Sequence, residues 1–255
     1  MNEYDPLVEL GLTHDKQLVC SCKGFLQLNN SSRDLCQWFI AKGDKFYDLI
    51  SRYDDMVAYV LNRSDGRSGN TTRFIAPFLK AFGATDYTAM EHCERALNLT
   101  PEAKRVMGHM LHTLPTFVTT SSYEHNVMSI CEKIDLPRAL VDCTDLSFDD
   151  HPINRQEAKA LREMARRITN LKMPGHEYEL NVPIKLQNDE VEMIKTLDDV
   201  FTDKIKELYV SDMIRNIKTV GANEKAYFLI DLRKRTQIDF EGTAFIGGDI
   251  TDIHA

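Results

Sequence analysis

Two aspartates, Asp249 and Asp252, follow a short apolar segment and could hold a metal ion. The segment, residues 243 to 247, predicts a β-strand that breaks at Gly247-Gly248, so both carboxylates stand at its carboxyl end. Mg²⁺ prefers oxygen ligands and usually takes one or two protein carboxylates beside a substrate phosphate. Open α/β sheets also bind ligands at the carboxyl ends of their strands. The segment therefore predicts a metal or phosphate site.

A strand near the start of the chain carries different chemistry. Residues Leu18 to Cys22 form a short apolar stretch that ends at Lys23-Gly24 and predicts a first strand and turn. Its carboxyl end presents Ser21 and Lys23, where a complete magnesium site would need a second pair of acids. The sequence therefore predicts a site that is only half equipped for metal chemistry.

The composition favours a globular protein and argues against some partners. The chain has 255 residues, of which 43% are hydrophobic and 27% are charged, as in ordinary globular proteins. Its net charge of −8 disfavours nucleic acid as the main partner, because phosphate backbones bind to Lys and Arg. It disfavours an anionic membrane surface for the same reason.

The sequence also predicts a cytoplasmic protein that does not insert into a membrane. No apolar run approaches the roughly 18 residues needed to span a bilayer, and residues 1 to 5 do not resemble a signal peptide. Six cysteines lack zinc-site spacing and predict reduced, mostly buried thiols. Cys20 and Cys22 could clip a metal, or could simply share one buried face of a strand.

Strand and helix patterns alternate along the chain and predict an α/β fold with a parallel, Rossmann-like sheet. Further strands are expected at residues 115 to 120 and 140 to 141, and a helix at residues 122 to 133. Thr100-Pro101-Glu102 predicts the start of another helix, and Asn223 is a plausible helix cap. Two mostly helical insertions interrupt the predicted core. The expected division is a split core of residues 15–31, 111–149 and 217–255, a helical cap insertion of residues 32–110, and a second helical insertion of residues 150–216.

Four elements, in this order, carry a resemblance to a known family. They are Leu18 to Gly24, Thr116 to Ser122, Lys225 at a helix start, and the sequence GGDITD at residues 247 to 252. Together they resemble the four motifs of the haloacid dehalogenase-like (HAD) phosphohydrolase superfamily. The stretches FIAKGDKFYDLISRYDD (39 to 55), PTFVTTSSYEH (115 to 125) and GANEKA (221 to 226) are similar to its subfamily called energy-converting hydrogenase A subunit R. The resemblance runs from about residue 15 to the last residue.

The resemblance implies a role for each matching position. Thr120, with Ser121 beside it, would bind phosphate oxygens through hydroxyl groups, and Lys225 would neutralise the phosphate. Asp249 and Asp252 would belong to the Mg²⁺ site that the family uses.

The departures from the family pattern fall at the positions of the nucleophile and the acid/base. Ser21 stands in the place of the aspartate that attacks phosphorus, and Lys23 stands in the place of the acid/base. Asn30 stands where the subfamily tends to have an acid. The resemblance therefore implies a family member that lacks the groups for hydrolysis.

Charge counting extends this expectation to the metal. Asp249 and Asp252 are opposed by Lys23 and Lys225, so the four side chains sum to zero without any ion. If Lys23 points inward, its ammonium takes the Mg²⁺ position and pairs with Asp249. Unlike charges about 4 Å apart gain roughly 4 kcal/mol at an effective dielectric constant of 20, before desolvation is subtracted. Mg²⁺ is therefore expected to bind weakly or not at all.

Other interpretations of single residues stay open at this point. The two late aspartates could be turn and helix-cap acids, and Thr120 could cap the helix that follows it. Lys225 could be a solvated helix lysine. His125 follows the second strand and could line the pocket as a general base.

Three functions are compatible with the sequence. The first is a HAD-like protein without hydrolytic activity that binds a small phosphorylated ligand or anion, or acts as a regulatory component. The second is an active Mg²⁺-dependent phosphatase of small phosphoesters. The third is a structural or assembly subunit associated with a hydrogenase complex. HAD cores usually continue beyond the last acids, so the end at Ala255 also predicts a fragment, or an unpaired sheet edge open to a protein partner or a second copy.

Overall fold

The computed structural model describes residues 14–64, 66–177 and 185–252. Four strands form one parallel sheet in the order β3-β2-β1-β4. Their bounds are β1 Gln17–Ser21, β2 Thr116–Tyr123, β3 Val141–Thr144 and β4 Thr243–Ile246. The predicted α/β class with a Rossmann-like parallel sheet is confirmed.

Successive side chains of β1 point to opposite faces of the sheet, as the strand period of two requires. Cys20 and Cys22 pack into one hydrophobic cluster with Val118 and Ile130. Val19 packs into the cluster on the opposite face, against Leu232 and its neighbours. Both faces of the sheet are therefore covered, as expected for a parallel sheet.

The two cysteines have the environment of core residues. Both thiols are free and buried. Burial raises the pKa of the Cys22 thiol to about 12, and burial raises the pKa of Cys20 further. Since metals bind the thiolate and not the thiol, the shared buried face explains this pair better than a metal clip does.

Helices account for most of the chain between the strands. Five lie between β1 and β2: α1 Ser31–Phe39, α2 Gly43–Asp55, α3 Thr71–Ala81, α4 Asp86–Ala96 and α5 Ala103–Thr113. After β2 comes α6 Glu124–Ile134. Three more follow β3, namely α7 Arg155–Asn170, α8 Asn188–Asp198 and α9 Ser211–Asn216, and α10 Ala222–Thr236 leads into β4. In the described residues, no helix combines the length and the apolar character needed to cross a membrane.

The two predicted insertions pack against each other. Leu35, Phe46 and Phe78 from the first segment share one hydrophobic cluster with Leu161 and Met193 from the second. Most helices of the two segments therefore share one core, while α5 packs into the other cluster through Met107. The division into separate domains stays a prediction.

Two predicted helix starts are wrong by a few residues. Helix α5 begins at Ala103, because Glu102 takes a left-handed conformation with φ 65° and so stands outside the helix. Helix α10 begins at Ala222 with Gly221 as its cap, so Asn223 lies inside the first turn. A side chain at Gly221 would lie 2.3 Å from the carbonyl oxygen of Ser68, so the close approach of that loop requires glycine there.

Candidate functional site

A small polar cavity lies at the carboxyl ends of β1, β2 and β4. The chain runs from β1 outward to β2 and β3, while β4 pairs with the other side of β1. Such a switch in strand order opens a crevice where α/β sheets bind ligands. The volume of the cavity is about 30 Å³. Its lining is rich in hydroxyl, amide and ammonium groups: Ser21, Lys23, Gln27, Asn30, Ser31, Ser32, Tyr47, Thr120, Ser121, Ser122, Lys225, Asp249 and Thr251.

The ion pair predicted from charge counting is confirmed. Lys23 Nζ lies 2.8 Å from Asp249 Oδ2, across the gap between the ends of β1 and β4. The lysine side chain is 47% exposed and the aspartate 25%. Burial raises the pKa of Asp249, but the hydrogen bond and charge of Lys23, with the charge of Lys225, outweigh burial and hold it below its usual range. Asp249 is therefore ionised and paired at neutral pH.

Lys225 forms a second, buried pair with Asp252. Its side chain is 1% exposed, and Nζ donates to Asp252 Oδ1 at 2.6 Å and to Thr251 Oγ1 at 2.7 Å. The other carboxylate oxygen of Asp252 accepts from the backbone N–H groups of Gly248 and Asp249, both at 2.9 Å. Lys225 is therefore a buried residue that binds the turn after β4 by hydrogen bonds, not a solvated helix lysine.

Gly247 makes room for the Asp252 carboxylate. A Cβ atom at this position would lie 2.5 Å from Asp252 Oδ2, which is closer than such atoms pack. The glycine therefore lets the carboxylate fold back over the backbone of its own turn. In this position the Asp252 carboxylate faces Lys225. Asp252 is not among the described residues that line the cavity.

The predicted hydroxyl ligands meet at the cavity. Ser21, Thr120 and Ser121 all contribute to its wall. Thr120 lies within β2, where its Oγ1 accepts from the backbone N–H of Ser122 at 3.2 Å. Helix α6 starts only at Glu124 and has no side-chain cap, so Thr120 is not a helix cap. Its hydroxyl also forms a hydrogen bond with the Cys22 thiol, which lowers the pKa of that thiol against the larger effect of burial.

His125 is not a cavity residue. It is buried, and its Nε2 lies 2.9 Å from Asp86 Oδ1. Asp86 also accepts from the Ser147 hydroxyl and the Phe148 backbone N–H. The histidine therefore ties α6 to α4 and to the loop after β3, and the expectation that it lines the pocket is wrong.

The helical side of the site contributes Asn30, which the family comparison marks as a departure, and Tyr47, which it does not identify. Asn30 caps α1 by accepting from the Arg33 N–H at 3.2 Å, and its Nδ2 donates to Tyr47 Oη at 3.1 Å. Both side chains line the cavity. Asn30 has the residue type of a helix cap before Ser31, which is a local signal. Tyr47 has no such signal, since only the packing of α2 over the sheet brings it there.

The side chains at this site do not fit a magnesium ion. One oxygen of Asp249 is bonded to Lys23, and both oxygens of Asp252 are bonded to Lys225 and backbone N–H groups. Within the described ranges, no group of three His, Cys, Asp or Glu side chains could hold a metal ion. Mg²⁺ needs nearly octahedral oxygen ligands, whereas this position holds two ammonium groups.

Asp55, on the helical side of the site, makes stability depend on pH. Its burial and the charges of Asp54 and Asp249 raise its pKa from 3.8 to about 7, against weaker opposition from Ser68 and Lys23. The folded state then binds the proton more tightly than the unfolded state, so stability falls as pH rises between these two values.

Replacing Asp55 with asparagine should reduce this pH dependence, and part of what remains should come from Asp54, whose burial likewise raises its pKa to about 7. The variant should become more stable than the wild type as pH rises from about 4 to about 7, by on the order of 2 kcal/mol after allowing for partial exposure. Urea unfolding at a series of pH values measures the difference. Asp135→Asn, at a carboxylate that is 75% exposed, is the control and should change little. Parallel pH curves for the wild type and Asp55→Asn would contradict the assignment.

Comparisons with known proteins describe the fold and no more. No protein-family model and no curated protein matches the chain. Among solved structures, the chain is similar to the gene product AF1437 from Archaeoglobus fulgidus, with a TM-score of 0.79 and 22% identity. The match covers 94% of this chain and 68% of that chain. At this identity the likeness shows a shared fold.

Proposed function

We propose that this chain is a HAD-like protein that binds phosphate-type anions and does not hydrolyse phosphoesters. The observation that carries the proposal is the 2.8 Å pair between Lys23 and Asp249. By the family resemblance, Lys23 stands in the place of the acid/base and Asp249 in the place of a metal ligand. An ammonium group in this position neutralises the carboxylate that would otherwise attract Mg²⁺.

The hydrogen-bond donors of the cavity favour an anion. Its two ammonium groups, Lys23 and Lys225, are each paired with one carboxylate, Asp249 and Asp252, so the four charges sum to zero and the donors do not face an excess of negative charge. Lys225 uses two of its three N–H donors within the protein, so one is left for a ligand. The hydroxyl group of Ser21 supplies a further donor. Phosphate oxygens accept such hydrogen bonds, and those from charged donors are the stronger ones.

The same residues argue against hydrolysis. Ser21, which the resemblance aligns with the attacking aspartate, is buried, and none of the described hydrogen bonds joins its hydroxyl to a base. A serine hydroxyl is a weak nucleophile unless an adjacent base or a metal activates it. The ammonium group of Lys23, bonded to Asp249 at 2.8 Å, has no lone pair with which to take a proton from water. The site therefore lacks both an attacking carboxylate and the general base that the family places at this position.

Inorganic phosphate should therefore bind and stabilise the protein in the presence of EDTA. A ligand at 100 times its Kd adds about 2.7 kcal/mol to the free energy of unfolding. Lys23→Met should weaken phosphate binding by about tenfold or more, because it removes a cation and exposes the ligand to Asp249. Lys104→Met removes an exposed lysine with a similar 2.7 Å partner, Asp135, and should bind phosphate like the wild type. Isothermal titration calorimetry measures all three affinities.

A phosphatase assay completes this test. Over a panel of small phosphomonoesters with Mg²⁺, the wild type should show no turnover above a Ser21→Ala variant. Turnover that disappears in Ser21→Ala would contradict the proposal and favour an active phosphatase. Absence of phosphate binding would also contradict it, and would favour the assembly role implied by the subfamily resemblance.

A further inference from the structure

A larger cleft adjoins the anion cavity on the side of the helical segments. Its volume is about 440 Å³, and it shares Lys23, Asn30, Tyr47, Ser121, Asp249 and Thr251 with the cavity. The cavity, at about 30 Å³, has room for little more than a small anion. The cleft lies within the usual range of small-molecule sites. A ligand with its anionic end in the cavity would place its remaining atoms in the cleft.

Most charged groups of the cleft are already paired. Arg33 forms a two-pronged bond with Asp48, at 2.8 Å and 2.9 Å, and Lys23 pairs with Asp249. These pairs fix the shape of the wall and cancel each other's charge. They leave the cleft polar, which disfavours an acyl or aromatic group as the occupant.

Two neighbouring acids at the end of α2, Asp54 and Asp55, have different environments. Asp54 is buried, and its Oδ2 accepts from the Gly69 N–H at 3.1 Å and from the Thr71 N–H and hydroxyl, both at 2.9 Å. For Asp55, the described hydrogen bond is a long one of 3.5 Å from the Ser68 hydroxyl. None of the ion pairs among the described residues includes Asp55. It is thus a carboxyl group on the cleft wall without a salt-bridge partner, and Lys23 acts on it only from a longer distance.

The cleft contains acids that the cavity lacks. Both ammonium groups of the cavity are paired with carboxylates, while the cleft adds the carboxyl groups of Asp54 and Asp55 to pairs that are already neutral. A bound cation next to Asp55 would favour its ionised form and would offset the cost of its burial. A neutral hydroxyl group would provide no such charge.

We infer that the ligand is a phosphorylated amine, with its phosphate in the cavity beside Lys225 and its ammonium group in the cleft beside Asp55. This inference rests on the proposed anion-binding function and adds the chemical class of the ligand. It makes Asp55 a specificity residue for the organic part and leaves the recognition of phosphate to the cavity.

The test compares amines with their hydroxyl counterparts. The probes are ω-aminoalkyl phosphates of about two to about five carbons, lengths suited to a cleft of this size, together with the ω-hydroxyalkyl phosphates of equal length and inorganic phosphate. Calorimetry is done above the pKa of Asp55. In the wild type, at least one amine should bind about tenfold or more tightly than its hydroxyl counterpart, because a desolvated ion pair replaces a neutral contact.

Asp55→Asn should reduce this preference to about twofold or less, while inorganic phosphate still binds at least as tightly as in the wild type, because a nearby negative charge is removed. Asp135→Asn, remote from the cleft, should keep the full preference. Phosphate binding with no preference for any amine would overturn the inference and leave the proposed function intact. A preference that persists in Asp55→Asn would also overturn it. Failure of phosphate itself to bind would instead overturn the proposed function, and the inference with it.

Discussion

Replacing Lys225 with methionine should lower the free energy of unfolding by about 3 to 5 kcal/mol, because it leaves Asp252 as a buried carboxylate without its cation. The lysine is 1% exposed and the aspartate 7%, so water cannot take over the lost contact. The hydroxyl of Thr251 would lose its partner as well. Urea unfolding in phosphate-free buffer measures the effect without a contribution from ligand binding.

Lys104→Met is the matched control for this prediction. It removes a lysine from an aspartate at 2.7 Å, but both side chains are more than half exposed. Exposed pairs contribute little, so the change should stay within about 1 kcal/mol. A second variant, Lys225→Met with Asp252→Asn, removes both charges and keeps an oxygen acceptor for the Gly248 and Asp249 N–H groups. It should recover part of the loss. Equal effects of Lys225→Met and Lys104→Met would contradict the assignment of a buried pair.

The double variant Ser21→Asp with Lys23→Asp should gain Mg²⁺ binding. The first change adds one negative charge and the second changes the charge by two, both next to Asp249. Carboxylate oxygens would then replace the ammonium group as the nearest neighbours of Asp249, and such oxygens suit Mg²⁺. The wild type should show no binding at millimolar Mg²⁺ in calorimetry, and the double variant should bind at least about tenfold more tightly.

Lys23→Met is the control that separates two causes. It removes the ammonium group without adding a carboxylate, so its gain in Mg²⁺ affinity should be smaller than that of the double variant. A wild type that binds Mg²⁺ as tightly as the double variant would contradict the account. Phosphatase activity in the double variant would mark a recently disabled site, and metal binding without activity would mark a site adapted to another use.

Sequence alone predicts the parts of this site that depend on local patterns. The apolar stretch before Gly247-Gly248 places Asp249 at a strand end, and the turn after Cys22 places Lys23 at the end of β1. Parallel strands end at the same edge of a sheet, so the ion pair between Asp249 and Lys23 follows from the strand order and the opposite charges. Local patterns predict helix starts less accurately where a tertiary contact fixes the first residue of the helix. Gly221 is an example, since it caps α10 where the Ser68 backbone passes close to it.

The helical side of the site does not follow from the sequence in this way. Tyr47 and Asp55 lie on α2, whose repeating apolar positions predict a helix but not which strand ends it covers. Their meeting with Asn30 and Asp249 depends on how the two helical segments pack into one core. Likewise, His125 follows β2 directly, yet Asp86 on α4 holds it away from the cavity. Long-range packing decides each of these positions.

The decisive measurement is a crystal of the wild-type protein soaked with Mg²⁺ and a phosphate mimic. We expect the anion in the small cavity, near the Thr120 and Ser121 hydroxyl groups and the Lys225 ammonium. We also expect Lys23 to remain on Asp249, with no metal between them. An octahedral Mg²⁺ ion bound to Asp249, with the Lys23 side chain turned out to solvent, would contradict the proposed anion site.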